Sequence, residues 1–207
     1  MRWGIDLAGL LTHLSRTPEV QAPPLPLTIC GEPEQGNTWH WAATTAWPRD
    51  LPHDDEPTEI HYWSSTTDHR RLECLANALP TAMPSNKGVY RDRLYPIVVT
   101  RCRRLVWHAV AEPEALRNLL EPVAAVGKKR SIGEGVVTHW TVQPSTADRW
   151  EAGHLHPHGP LGRPVPPRCL RGRGHVEHGG LAAGPLHPGH PAAREIFEVF
   201  LPIALPA

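Results

Sequence analysis

Residues 112–137 read EPEALRNLLEPVAAVGKKRSIGEGVV, and this stretch decides the fold that the rest of the chain must complete. Its opening predicts a helix, because Pro113 suits the first helical turn and the flanking glutamates suit the positive end of the helix dipole. Apolar residues then recur at helical spacing, at Leu116, Leu119, Leu120 and Val123. We therefore predict a short amphipathic helix that packs on a sheet and ends near Val126, where Gly127 closes it in the left-handed conformation.

A loop rich in glycine and positive charge follows this helix. Its glycines allow close backbone approach, and its adjacent cations can neutralise phosphates while exposed N–H groups hold the phosphate oxygens. A nucleotide P-loop is excluded because the lysines precede Gly133, and a dinucleotide fingerprint would come before a helix. We predict that a phosphate backbone is gripped by Gly127, Lys128, Lys129, Arg130, Ser131, Gly133 and Gly135. The alternative is a basic turn that only connects helix and strand.

Hydrophobic patterns elsewhere predict the remaining elements. Apolar residues near the start of the chain have helical spacing, and β-branched or aromatic residues in alternation favour strands. We predict a first helix over 4–16 and strands over 59–63, 95–110, 135–142 and 195–203.

The last quarter of the chain has a different composition. Between 153 and 191, 24 of 39 residues are glycine, proline or histidine, which makes a packed helix implausible. We expect a core with inserted loops over 1–152, a flexible insertion over 153–191, and a strand that returns to the core within 192–207.

Further cations can extend the positive surface of the glycine loop. Arg101 and Arg103 share one face of a predicted strand by its two-residue period, and Arg104 follows them. A Gly-centred turn adds Lys87, Tyr90 and Arg91, with the tyrosine able to stack on a base, and the flexible insertion adds Arg163. We predict RNA contacts from these residues; the alternatives are a charged strand edge that discourages aggregation, and solvated loops.

Charge and composition limit the class of protein. The net charge is zero, but residues 1–60 carry three Lys/Arg against nine Asp/Glu, and residues 61–207 carry eighteen against twelve. This asymmetry is compatible with one surface that meets nucleic acid, and equally with two solvated faces. No apolar run approaches the length of a membrane span and no signal peptide opens the chain, so we expect a cytoplasmic protein without a membrane partner.

Cysteine and histidine spacing favours no metal centre. Cys30, Cys74, Cys102 and Cys169 form no CxxC pair, so neither a zinc knuckle nor a disulfide framework is indicated. Histidines cluster near the C-terminus, where they could bind zinc or nickel weakly. Low-complexity composition is the favoured explanation, and we predict no metal and no cofactor.

The helix, a loop of the form G-K-x-R-S-x-G-x-G and the following strand resemble the glycine-rich loop of the RAMP superfamily, the ferredoxin-like RNA-binding subunits of CRISPR systems. IDLAGLL at 5–11 resembles the start of that family's first helix, and LGRPVP at 161–166 is similar to an Arg-Pro-x-Pro stretch of type IV relatives. The resemblance is greatest to the type IV subunit of the fifth-numbered class of Cas backbone protein. The family's first strand would have only residues 1–4 available here.

The resemblance implies an α+β fold with a ferredoxin-like core and long loop insertions. It also implies a non-catalytic subunit that holds the 5′ region of the guide RNA, or crRNA, and caps a filament of repeated backbone subunits beside a large subunit. Target DNA stays open as a further partner.

Relatives in the superfamily also include nucleases that process guide precursors, some with a helix histidine. A metal-independent endoribonuclease needs a general base near the 2′-hydroxyl and a cation for the phosphorane. His13, on the first helix, and His108, near the arginine-rich strand, are the candidate bases. Cleavage is the alternative function; a structural role for both histidines is the simpler interpretation.

Overall fold

The computed structural model describes residues 4–14, 25–32, 38–49, 58–65, 74, 93–100, 102–127, 130, 133–157, 159–184, 186 and 196–202. These residues form a mixed α/β structure with few helices and small two-stranded sheets. The chain divides into two compact units, one made of residues 1–48 with 105–207 and the other of residues 49–104.

The elements are short and follow one another as expected for a loop-rich chain. The helices are α1 (Leu7–Leu14), α2 (Pro113–Leu120), α3 (Arg149–His154) and a 3-10 helix (Pro167–Leu170). The strands are β1 (Ile29–Cys30), β2 (His40–Trp41), β3 (Trp47–Arg49), β4 (Thr58–Ser65), β5 (Arg93–Thr100), β6 (Arg104–Val106), β7 (Leu181–Gly184) and β8 (Phe197–Phe200). In the described part of the chain, no helix combines the length and the apolar character needed to cross a membrane.

Helix α1 confirms the predicted first helix. The backbone N–H of Gly9 donates to Asp6 Oδ1 over 2.7 Å, which satisfies one of the free donors at the helix start. Leu7, Leu10 and Leu11 are buried, as the helical spacing predicts. They pack in the first hydrophobic core of the larger unit.

Helix α2 confirms the second predicted helix, but it ends earlier than predicted. Its N-cap is Glu112, whose carboxylate accepts from the backbone N–H of Glu114 and Ala115, and Pro113 occupies the first turn. Leu116 and Leu120 pack against the leucines of α1. The helix stops at Leu120 instead of near Val126, because Pro122 lacks the N–H that a continuing helix needs. Gly127 therefore closes no helix.

An irregular set of extended segments lies beside these helices. Ala42 donates to Thr28 O and accepts from the N–H of Val110, with N···O distances of 2.8 and 2.9 Å. Thr44 N donates in turn to the carbonyl of His108 over 2.9 Å. These hydrogen bonds fix the segment after β2 on both sides. The segment includes Ala43, whose carbonyl accepts a hydrogen bond from a buried side chain.

The predicted strands are confirmed in part. The stretch 59–63 lies within β4, which pairs antiparallel with β5, and these two strands belong to the smaller unit. The single strand predicted over 95–110 is wrong, since a bend at Arg103 separates β5 from β6. The strand predicted over 135–142 is reduced to one bridge, Ala125 with Val136.

The glycine-, proline- and histidine-rich stretch differs most from expectation. Its described residues do not form a loose insertion but a second hydrophobic core, in which Leu161, Val165 and Val176 are buried. β8 confirms the predicted returning strand, and it pairs antiparallel with β7. Proline and glycine here shape tight turns between packed residues, which composition alone cannot distinguish from an open loop.

Candidate functional site

The predicted glycine loop is closed at its base by main-chain hydrogen bonds. Val126 N–H donates to the carbonyl of Gly135 over 2.8 Å, and Val137 N–H donates to Ala124 O over 2.9 Å. Gly135 has a φ of +69°, and a Cβ added there would overlap the carbonyl oxygen of Val126. Glycine is therefore required at this position, since only a residue without a side chain permits the chain to close.

Beyond the base, two described glycines have open space on the side where a Cβ would stand. Among the described residues, nothing lies within 4 Å of a Cβ built at Gly127 or Gly133, and Gly133 N–H donates to Arg130 O over 3.1 Å. Gly133 has a φ of +89°. Lys128, Lys129 and Ser131 lie outside the described residues. The described residues thus show a loop with a fixed base and with open space at Gly127 and Gly133.

Arg130 joins the loop to the last turn of α1. Its Nη2 donates to His13 Nε2 over 3.1 Å, and this contact is exposed to solvent. Because guanidinium has donors only, His13 Nε2 accepts and must be unprotonated in this arrangement. The structure thereby brings together a loop cation and the helix histidine that the sequence singled out as a candidate base.

Of the other residues predicted to contact RNA, some are exposed and some lie outside the described part of the chain. Arg103 and Arg104 are exposed in the smaller unit. Four further predicted residues, Lys87, Tyr90, Arg91 and Arg101, lie outside the described part of the chain. The second candidate base, His108, is half-buried, with its Nδ1 3.1 Å from the carbonyl of Leu155, and burial lowers its pKa.

Arg163 is a correction, because it cannot contact RNA. Its side chain is 0% exposed, and its guanidinium donates to the carbonyls of Trp41, Ala43 and Leu186. The last two N···O distances are 2.7 and 3.0 Å. Burial lowers the pKa of the guanidinium, and the Asp6 carboxylate opposes that change. Arg163 is a structural cation at the centre of the larger unit.

A second candidate site is a cysteine–histidine cluster formed by Cys30, His40, His154 and Cys169. One ligand atom from each residue lies within 4.8 Å of all the others. The two sulfurs are 4.0 Å apart, and His40 Nε2 is 3.4 Å from Cys169 Sγ. The imidazole rings are perpendicular, with centroids 5.0 Å apart.

Three separate elements bring these side chains together. Cys30 and His40 are direct partners in the β1–β2 pair, so their side chains stand on one face. His154 ends α3, and Cys169 lies on the 3-10 helix. Trp150, on α3, stacks on the His154 ring and donates its indole N–H to the carbonyl of Cys169 over 3.2 Å.

A glycine permits α3 to approach the hairpin this closely. A Cβ at Gly153 would lie 2.9 Å from Ala42 Cβ, closer than two carbon atoms normally approach. Helix α3 itself is only six residues long, and a capping box between Asp148 and Glu151 satisfies its first N–H groups. His154 is therefore positioned by a well-capped helix packed directly against Ala42, the residue that follows the strand of His40.

Backbone carbonyls orient both imidazoles. His40 Nδ1 is 3.0 Å from Trp41 O, and His154 Nδ1 is 2.7 Å from Trp150 O. A carbonyl only accepts, so each Nδ1 carries the proton and each Nε2 presents a lone pair to the cluster. His154 Nε2 is buried and has no hydrogen-bond partner.

The cluster also shifts the acidity of its members. Hydrogen bonding with Cys169 holds the pKa of the Cys30 thiol far below its usual range. The same interaction, with burial, raises the pKa of Cys169. Burial lowers the pKa of His40 to about 4, which keeps that ring neutral. A thiolate at Cys30 and a neutral ring at His40 are the forms in which these residues bind a metal ion, and Cys169 would lose its proton when the ion binds.

Sequence reasoning missed this cluster because its members are remote in sequence. Cys30 and Cys169 are 139 positions apart, and His40 and Cys169 are 129 apart. No short spacing rule covers such separations. His154 is one of many histidines in a compositionally biased segment, and neither cysteine has a distinguishing neighbour in the sequence.

No model of a protein family matches the chain, and no curated protein is significantly similar to it in sequence.

Proposed function

We propose that this chain is a non-catalytic RNA-binding subunit of a type IV CRISPR ribonucleoprotein, which holds the 5′ region of the guide RNA and caps the backbone filament. The observation that carries the proposal is the glycine loop, closed at Val126 and Gly135 and open around Gly127 and Gly133. A ferredoxin-like relation between α1, α2 and the strands is part of the same proposal, as are the backbone and large subunits as partners.

The loop supports the proposal through its shape and charge together. A fixed base holds the flanking backbone, and open space at the glycines lets a sugar-phosphate chain approach within hydrogen-bond distance of the peptide groups. Three consecutive cations, Lys128, Lys129 and Arg130, supply the opposite charge. Backbone contacts of this kind position RNA without reading its bases. The loop therefore explains affinity for a guide and gives no basis for sequence preference.

Alanine at Lys128, Lys129 and Arg130 together should leave the protein folded and lower its affinity for single-stranded RNA by about 100-fold at low salt. The reason is the loss of three phosphate contacts, each contributing about 0.7 to the slope of log affinity against log salt. We expect the salt slope to fall in magnitude by about 2. Fluorescence anisotropy with a repeat-derived RNA at several salt concentrations measures both quantities.

The matched control removes the same charge from the same unit. Arg117, Arg149 and Arg171 are exposed and lie outside the loop, so their triple alanine variant should retain most of the RNA affinity and the slope. Equal losses in the two variants would show that net charge and not the loop binds RNA. An unchanged affinity in the loop variant would contradict the proposal.

One contact favours a second candidate function, metal-independent RNA cleavage. His13 Nε2 and the Arg130 guanidinium are 3.1 Å apart, which places a possible base next to a cation suited to a phosphorane. The non-catalytic proposal predicts that repeat RNA stays intact in EDTA under saturating protein. Cutting that disappears in His13→Ala and persists in the exposed-histidine control His139→Ala would establish the nuclease instead. Denaturing gels of end-labelled RNA distinguish the two.

A further inference from the structure

We propose that Cys30, His40, His154 and Cys169 bind one zinc ion, in a structural site that ties the β1–β2 hairpin to α3 and the 3-10 helix. The site is separate from the glycine loop, so it adds to the proposed function and does not depend on it. Its four donors all belong to the larger unit.

Two of the distances between donor atoms are close to those of a tetrahedral zinc site. With Zn–S bonds near 2.3 Å and Zn–N bonds near 2.0–2.1 Å, tetrahedral angles require about 3.8 Å between sulfurs and about 3.6 Å between sulfur and nitrogen. The observed Cys30–Cys169 sulfur separation is 4.0 Å, and Cys169 Sγ to His40 Nε2 is 3.4 Å. These two separations are within a few tenths of an ångström of the required values, and all four donor atoms lie within 4.8 Å of one another.

The imidazoles are already in the tautomer that metal binding needs. Histidine ligands generally donate their second ring nitrogen to a carbonyl or carboxylate, which fixes the ring and makes the ligating nitrogen more basic. Here both Nδ1 atoms donate to backbone carbonyls, those of Trp41 and Trp150. His154 is 2% exposed, and its Nε2 has no hydrogen-bond partner. Leaving such an acceptor unpaired is costly, and a metal ion in the cluster removes that cost.

The donor set selects zinc over the alternatives. Two thiolates and two imidazoles in a tetrahedron suit zinc or iron–sulfur centres. A Rieske-type cluster would place the cysteines on one iron and the histidines on the other, whereas His40 lies as close to Cys169 as the two cysteines lie to each other. A disulfide would join the two sulfurs but would leave His154 Nε2 unpaired.

Four protein donors leave no open coordination position, which is the mark of a structural site. Its position explains how a segment rich in glycine and proline is held in place. Cys169 packs against the second core, as do Trp150 and Leu155 near His154, and Trp41, next to His40, packs against the first. Zinc would therefore replace hydrophobic area that this composition cannot supply.

The test is metal analysis of the full chain, purified with a tag that contains no histidine. We expect about one zinc per chain, retained through gel filtration, and clearly less than half of that in Cys30→Ser and in Cys169→Ser. Cys74→Ser is the control, because Cys74 is exposed and outside the cluster. It should retain the full zinc content and the wild-type melting temperature, while the cluster variants melt on the order of 10 °C lower.

A second measurement keeps the proposal decidable if the variants fail to fold. Wild-type chain exchanged with cobalt should show the visible absorption of tetrahedral Co²⁺ together with a thiolate charge-transfer band, both displaced by zinc. Wild-type protein without stoichiometric zinc and without this cobalt spectrum would overturn the proposal. So would a Cys30–Cys169 disulfide found by peptide mass spectrometry in protein purified under reducing conditions.

Discussion

Replacing Arg163 with leucine should lower the free energy of unfolding by about 3–5 kcal/mol, although a surface interpretation of this arginine would predict almost no change. The substitution removes the donor that satisfies the carbonyls of Ala43 and Leu186, whereas Trp41 O keeps the N–H of Ala43 and the Nδ1 of His40. Each buried carbonyl left without a partner costs about 1–3 kcal/mol. Burial raises the pKa of the Asp6 carboxyl group, and the substitution also removes the positive charge that counteracts this rise. Urea unfolding followed by tryptophan fluorescence measures the difference.

Two comparisons show whether burial is the cause. Arg171→Leu removes an exposed arginine of the same region and should change stability by less than about 0.5 kcal/mol. Arg163→Lys keeps the charge but lacks the planar fork, so it should recover only part of the loss. An Arg163→Leu protein as stable as wild type, with weakened RNA binding, would restore the original prediction of an RNA contact.

Local features of the fold could be predicted from sequence because their causes are local. Helix α2 depends on Glu112, Pro113 and two leucines, all within eight positions, and the structure confirms its start and its buried face. Helix α1 follows from leucine spacing alone. The error lay at the end of α2, where hydrophobic periodicity through Val123 outweighed Pro122 in the prediction. A proline inside an apolar pattern is the stronger signal.

Long-range features could not be predicted, and they include both buried polar centres. The sequence around Arg163 has the composition of a surface loop. Its guanidinium nevertheless donates to the carbonyls of Leu186 and Trp41, which are 23 and 122 positions away. The sequence spacing of Cys30 and His40 does not show that they are neighbours, because this follows only from the β1–β2 register. The same holds for the strand predicted over 135–142, where Val137, Trp140 and Val142 pack against the first core while Val136 is exposed and forms a single bridge.

Substituting alanine for Gly135 should open the base of the glycine loop and lower stability by about 2–4 kcal/mol. Alanine at positive φ costs about 1–2 kcal/mol by itself. Here its Cβ would also overlap the Val126 carbonyl oxygen, so the hydrogen bond from Val126 N–H to Gly135 O must break or lengthen. Thermal unfolding and amide exchange at Val126 and Val137 report the change.

Gly133→Ala is the matched control for this prediction, because it shares the positive φ but meets no atom within 4 Å. It should cost only about 1–2 kcal/mol and leave Val126 protected from exchange. If the loop grips RNA through a fixed base, Gly135→Ala should also weaken RNA binding more than Gly133→Ala does. Equal stability and equal exchange in the two variants would show that the base is not closed as described. A closed base with equal RNA affinities would instead locate the grip in the cations alone, since the backbone geometry would then contribute nothing to binding.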